Sequence, residues 1–405
     1  MRKLIALILC LCVLVALVGC GAGQIEEYED PDATANAEVE DTADADTEEA
    51  PGLLVSDGAQ SFAAYDPDTV VATINGQDVT WEEYHYWLYY FVQYVQMLAL
   101  QNGAVLSSWD AYELSADNTN AEVILLNAQD SVLQYHAMES LAEELGITLD
   151  ADDEAELTAI FEEEADAYAG DGDGVCTEDE AAAFEDYLAE EFVSREFFDY
   201  MNSMGLLSEK AFMTLYGEMG EKYPDADILA FADEVGVVAA KHILLLTVDM
   251  TTGEALSDDE IAEKRALADD LYAQLAAVAD DQEALNPLFD ELMAQYTEDT
   301  GYESFPEGYT YVPGVMVTEF EDAVNALDAY GISEVVESDY GYHIIMRIPV
   351  SPDAIVMDTS GQSVDLRAAA ADDAFYFQLM DAMDSADIVW GDGFENLNIA
   401  AVFGE

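Results

Sequence analysis

Val238-Ala239-Ala240-Lys241-His242-Ile243-Leu244-Leu245-Leu246-Thr247 and Tyr340-Gly341-Tyr342-His343-Ile344-Ile345-Met346-Arg347 are two apolar stretches, each with one histidine inside it. Both read as strands, because short apolar runs bounded by turn signals behave that way. Between them Ser257 and Glu260 stand at capping-box spacing. They open a helix expected to run to about Ala279, and a second helix follows over roughly 283–296. Strands that bracket helices read as one module of a chain whose fold class is α+β.

Outward toward the amino terminus, residues 67–235 read as mainly helical. Val70 to Ile74, then Asn75-Gly76, then Gln77 to Val79 form a predicted hairpin, since Asn-Gly accepts the positive φ values of a two-residue turn. Thr80 and Glu83 cap the next helix, where Trp81, Tyr84, Leu88, Phe91, Val95 and Leu98 fall at helical spacing and face the core. Tyr86, Trp87, Tyr89, Tyr90 and Tyr94 are left over, more than one stripe can hold. Either the helix is enclosed on all sides, or it exposes an aromatic surface to something apolar.

Helical patterns continue over about 122–145, 151–169, 177–203 and 208–222. Gly170-Asp171-Gly172-Asp173-Gly174 interrupts them. Asp171, Asp173, Gly174 and Glu180 fit positions 3, 5, 6 and 12 of an EF-hand loop, but Ala169 stands where position 1 needs Asp. The break reads as a calcium site or as a solvated turn. Past the module, Asp365 to Asp384 is a predicted helix and Ile388-Val389-Trp390 a short strand.

The module resembles a parvulin-type peptidyl-prolyl isomerase domain. The matching pieces are Ala240-Lys241-His242-Ile243-Leu244, Ala294-Gln295-Tyr296-Thr297-Glu298-Asp299, Gly314 to Ala323, and Gly341-Tyr342-His343-Ile344-Ile345. The hairpin and helix at 70–100 resemble the opening of the chaperone domain in extracytoplasmic foldases of the PrsA and SurA type. That resemblance implies a helical SurA-N-like chaperone domain (67–235), a parvulin domain of small antiparallel sheet and helices (236–350), and a returning 351–405 segment.

It also implies a chemistry. Rotation about X–Pro is slow because amide resonance opposes it, so an enzyme needs to bind the twisted amide better than the planar one. No metal and no cofactor is needed. By the family pattern Met316 and Phe320 line the proline pocket, His242 and His343 are the paired core histidines, and Asp299 holds the acid position. Tyr340 precedes the Gly-Tyr-His stretch, where small polar residues also occur. The family's glycine-rich turn with a leucine is replaced by Glu303 to Tyr311, so Tyr309 fills the pocket wall or the wall is altered. The loop 248–256 has no Lys or Arg, which argues against phosphoserine-proline substrates. His85 and His136 read as structural.

Met1-Arg2-Lys3 and the apolar run Leu4 to Val18 suit a secretory signal, too short for a span of about 20 residues. Leu17-Val18-Gly19-Cys20 resembles a bacterial lipobox, which implies signal peptide 1–19 and two acyl chains on Cys20 as a stable membrane anchor. Only Cys176 would remain as a thiol, so no internal disulfide is expected. Residues 20–66 read as an acidic disordered linker. Lys+Arg 10 against Asp+Glu 88 leaves −78 over 405 residues, which excludes nucleic acid as a partner. The expected activity is isomerisation of proline bonds in unfolded or newly exported proteins at the outer membrane face. The alternatives are a non-enzymatic holdase and a calcium-responsive binding lipoprotein resting on 169–180.

Overall fold

The computed structural model describes residues 58–101, 106–170 and 174–404. The expected signal peptide, Cys20 and most of the linker lie outside the described residues. The chain divides into two compact units, Met1–Ala211 with Gln378–Glu405, and Phe212–Phe377.

The first unit starts from the predicted hairpin. Strands β1 (Val70–Ile74) and β2 (Gln77–Thr80) pair antiparallel around Asn75 and Gly76, whose φ values of 52° and 84° are those an Asn-Gly turn supplies. Helix α2 (Trp81–Gln101) follows, and α3 (Asn120–Glu144) packs along it behind a Thr119–Glu122 capping box. Trp81, Tyr84, Leu88 and Phe91 join Ile124, Ala128 and Val132 in one core. Trp87 is also buried, and Tyr86, Tyr89 and Tyr94 pack against the same core. The surplus aromatics are thus mostly enclosed, and one stripe of Tyr90, Met97 and Leu100 stays exposed.

The linker ends earlier than expected. Residues Gly58–Phe62 form a helix, α1, because Phe62 packs on the core and Trp81 Nε1 donates to its carbonyl at 2.9 Å. Ser61 is buried, with Oγ 2.8 Å from His85 Nε2.

The helix predicted over 177–203 is two. After α4 (Ala151–Ala169), α5 (Glu178–Glu190) stops where Phe192 takes a φ of 63°, and Ser194 then accepts the Phe197 N–H to start α6 (Arg195–Leu215). Helix α6 runs through the break expected at 204–207, since Met204, Leu206 and Leu207 are buried on it.

A buried ionic group joins two helices of this unit. His136 Nε2 lies 3.2 Å from Glu83 Oε1, and its Nδ1 lies 3.2 Å from Glu139 Oε2. Burial pushes the Glu83 carboxyl up against the pull of His136. Burial also opposes the imidazolium, yet hydrogen bonds to Glu139 and Glu83 raise His136 to about 9.

The second unit begins with α7 (Asp225–Glu234) and is built on a sheet. Strands β3 (Val238–Leu246), β4 (Tyr309–Tyr311), β5 (Val336–Glu337), β6 (Gly341–Ile348), β7 (Ile355–Met357) and β8 (Ser363–Asp365) lie in the order β5-β6-β3-β4-β7-β8. The predicted histidine strands are its centre, with β3 and β6 antiparallel from Ala239↔Ile348 to Leu246↔Gly341. Gly341 opens β6 at φ 150°, where a Cβ would stand 2.2 Å from the Leu245 carbonyl oxygen.

Alternation along these strands divides the unit. Ile243, Leu245, Tyr342, Ile344 and Met346 face α8 (Asp258–Ala276) and α9 (Gln282–Tyr296) through Leu271, Leu275, Leu285 and Phe289. Ala240 and Ile345 face the other way, onto Tyr309, Tyr311, Phe320 and Val324, the latter two on α10 (Thr318–Asn325).

Within 236–350 the strand pairings are antiparallel, as expected, and Tyr311 adds a parallel pairing with Met357 beyond that stretch. Residues 355–365 extend this sheet as the β7–β8 hairpin, and Val356 is buried with Ile228 and Val237. Helix α11 (Leu366–Asp384) leads out, and β9 (Ile388–Trp390) pairs antiparallel with β1. A last helix, α12 (Ile399–Phe403), buries Val402 and Phe403 in the first unit's core.

Candidate functional site

His242 and His343 are brought together by register. His242 pairs with Ile345 and His343 with Leu244, so the two histidines lie diagonally on one face of neighbouring strands. Their rings stack at 5.4 Å with 14° between planes, and the Nδ1 atoms are 3.2 Å apart.

Asp299 closes the group from the segment after α9. Its Oδ2 lies 2.9 Å from His242 Nε2 and accepts the Tyr309 hydroxyl at 2.5 Å, and its Oδ1 accepts the Gly301 N–H at 3.0 Å. Burial raises the carboxyl, but bonds from His242, Tyr309 and Gly301 prevail and hold it down at about 2. Burial, then the anionic Asp299, push the Tyr309 phenol up.

At the other end Ser338 Oγ lies 2.7 Å from His343 Nε2 and also accepts the Tyr340 N–H. His343 is 3% exposed, and burial, followed by the neighbouring His242, lowers it to about 4. Contacts from Ser338 Oγ to His343 Nε2, from His343 Nδ1 to His242 Nδ1 and from His242 Nε2 to Asp299 thus join the four side chains in one continuous hydrogen-bonded chain.

The apolar side of the site meets this chain edge-on. The Phe320 ring stands 5.2 Å from His242 and 5.8 Å from His343, nearly perpendicular to both. Met316 is half-buried in the same cluster. Val317, at the N-cap of α10, has no side-chain oxygen, and Glu321 Oε1 instead accepts the Gly314 and Met316 N–H groups at 2.9 and 3.0 Å. That anchors the loop carrying Met316.

Of the residues singled out in the sequence, His242, Asp299, His343, Tyr309 and Phe320 therefore meet directly, and Met316 lies beside Phe320. The Tyr340 side chain is exposed and joins only through its backbone. Tyr309 does more than fill a wall, since its hydroxyl is committed to Asp299. Ser338 was missed; its signal is a small hydroxyl residue five positions before the strand histidine. Glu321 was missed as well. In the loop 248–256, Asp249 Oδ1 accepts the Thr251 and Thr252 N–H groups.

A family model for the PPIC-type PPIASE domain (Rotamase) matches residues 242–348. Foldase protein PrsA 3 of Bacillus anthracis is 50% identical over 58 residues, 14% of this chain and 20% of its own length. Foldase protein PrsA 1 of Bacillus cereus is 36% identical over 104 residues, 25% of this chain and 36% of its own. The chain thus spans between a fifth and just over a third of these relatives. A crystal structure of Peptidylprolyl Isomerase (PrsA) from Bacillus anthracis covers 63% of this chain and 94% of its own at 17% identity, with a TM-score of 0.21.

Proposed function

We propose that this chain, whose residues 242–348 are a PPIC-type domain of the parvulin family, is a foldase that isomerises X–Pro bonds in exported proteins. The observation that carries this reading is the hydrogen-bonded His343–His242–Asp299 chain set against Phe320 and Met316. The barrier is electronic, so the site needs shape and a dry surface rather than a proton donor to substrate. The proline ring sits on Phe320 and Met316, where loss of water disfavours the more dipolar planar amide. The histidines hold the Phe320 face rigid.

The finer parts of the reading rest on sequence. Residues 1–19 are the signal, Cys20 carries the lipid, and 20–57 tethers the folded units outside the membrane. No described helix is long and apolar enough to cross a membrane. Cys20→Ser would then release the chain from the membrane fraction.

The deciding experiment is a proline-peptide isomerisation assay on the chain and on His242→Ala and Met316→Ala. Each variant should lose at least tenfold in kcat/KM. No activity in the parent, or equal activity in all three, would end the catalytic reading. A second reading, a holdase, is favoured by the exposed Tyr90, Met97 and Leu100 stripe on α2. Changing these three to Ser should then abolish suppression of client aggregation while leaving isomerase activity unchanged.

A further inference from the structure

Asp171 and Asp173, on which the calcium reading of 169–180 rests, lie outside the described residues. The segment that leads into Asp299 is described throughout, and it is fastened to the strand that carries His242. Strand β3 needs a neighbour on each side, because both its edges present backbone N–H and C=O groups. On one side β6 pairs with it from Ala239 to Leu246, but on the other β4 pairs only with Val238, Ala239 and Ala240.

Thr297 and Glu298 take up part of the remaining edge. Thr297 Oγ1 accepts the Leu244 N–H at 3.2 Å, and the Glu298 N–H donates to the Leu244 carbonyl at 2.8 Å. Glu298 Oε2 then accepts the Leu246 N–H at 2.8 Å. Two side chains thus supply the acceptors that a neighbouring strand's carbonyls would otherwise give.

Glu298 is held in turn. Its Oε1 pairs with the Lys264 ammonium on α8, so one carboxylate joins β3 to the helix that Ser257 caps. Thr297 ends α9, its N–H donating to the Met293 carbonyl at 3.0 Å, and its hydroxyl also accepts the Asp299 N–H at 3.4 Å. Leu244 and Leu246 lie two and four residues beyond His242 on the same strand. The backbone that carries the acid and the backbone that carries the imidazole are therefore fixed to one edge, and Asp299 Oδ2 arrives 2.9 Å from His242 Nε2.

We infer that Glu298, braced by Lys264, is a positioning residue for Asp299, an inference that rests on the catalytic reading above. Without its carboxylate the Leu246 N–H loses its acceptor and the Lys264 ammonium its partner. The segment is then held at β3 by Thr297 and a single backbone bond. Displacing Asp299 turns the His242 ring from its edge-on setting against Phe320, and a misplacement of about 1 Å can cost about 100-fold in rate. The loss falls on kcat more than on KM, because Glu298 faces β3 and α8 and not the proline surface of Phe320 and Met316.

The test is a double-mutant cycle in the proline-peptide assay on the full chain. Glu298→Ala should lower kcat/KM about fivefold, a fraction of that limit, and Glu298→Gln, which keeps an acceptor for Leu246, should recover most of it. In an Asp299→Ala background Glu298→Ala should cost nothing further, since a positioning residue acts only through the group it positions. Equal losses in both backgrounds would overturn the inference by showing a general loosening of the domain. Glu263→Gln, an exposed acid on α8, should leave activity unchanged and controls for net charge. If Asp299→Ala leaves too little turnover to compare, the imidazole resonances of His242 decide. Glu298→Ala should shift them and leave those of His136 in place, whereas unmoved His242 resonances would overturn the inference. An inactive parent chain would overturn the catalytic reading together with this inference; an active parent with equal losses would overturn this inference alone.

Discussion

His136 in the first unit and His343 in the second are buried alike, at 2% and 3% exposed, and their proton affinities move in opposite directions. Glu83 and Glu139 raise His136 to about 9, whereas His343, with a hydroxyl and a second imidazole for partners, falls to about 4. Burial lowers both, so the difference lies in the neighbours alone. A histidine between carboxylates acts as a buried cation that joins α2 to α3. A histidine between Ser338 and His242 acts as a neutral spacer against the apolar Phe320 face. The same side chain thus serves as an ionic bolt in one unit and as a shaped wall in the other.

The largest effect should come from breaking the bolt. Glu83→Ala leaves a buried imidazolium with only Glu139, and removing one partner of a buried pair costs about 3–5 kcal/mol. Urea unfolding followed by tryptophan fluorescence should show that loss. A cost within about 0.5 kcal/mol, ordinary for a surface substitution, would mean that His136 is neutral and the contrast false.

Next comes pH. A histidine raised to about 9 stabilises fully below about 6.5, and that contribution, up to about 3 kcal/mol, is lost as pH rises through 9. A histidine lowered to about 4 contributes above about 6.5 and loses up to about 3 kcal/mol as pH falls toward 4. His85, lowered by burial to about 4, gives the first unit an acid limb as well, so the alkaline limb is the discriminating one. Imidazole resonances followed by NMR should titrate near 9 for His136 and near 4 for His343. Two midpoints near 6.5 would remove the distinction.

The smallest effects should come from trimming the hydrogen-bonded chain at its ends. Tyr309→Phe removes a hydrogen bond to an ionised carboxylate, worth about 1.5 kcal/mol, and Ser338→Ala a neutral one, worth about 1 kcal/mol. Isomerase turnover should fall severalfold in each case. Activity kept in Ser338→Thr and lost in Ser338→Ala would assign the effect to the hydroxyl rather than to packing.

Much of the second unit was legible because its centre is carried by two long apolar strands whose histidines are unmistakable residue by residue. Asp299, Met316 and Phe320 were legible by motif, since each lies at a fixed place relative to those strands. Ser338 was not, because a lone serine in Glu337-Ser338-Asp339 looks like any turn residue until β6 fixes its distance to His343. Tyr309 was read as bulk, because the reach of a phenol to a carboxylate ten positions away depends on the turn that folds them together. The β7–β8 hairpin escaped because strands of three residues carry no periodicity. In the helical region, Phe192 broke a helix where no Gly or Pro announced it.

The pairing of β9 with β1 and the burial of Val402 and Phe403 in the first core have a consequence for the order of assembly. Tyr84 donates to the Phe394 carbonyl and Trp109 to that of Gly404, contacts that close loops of roughly 300 residues. Residues 212–377, by contrast, are one uninterrupted stretch and can collapse as soon as they emerge. A chain appearing from its amino terminus would therefore complete its second unit while the first still waits for its third strand. The first unit is thus a late event in the chain's own assembly, finished only when residues 388–403 arrive.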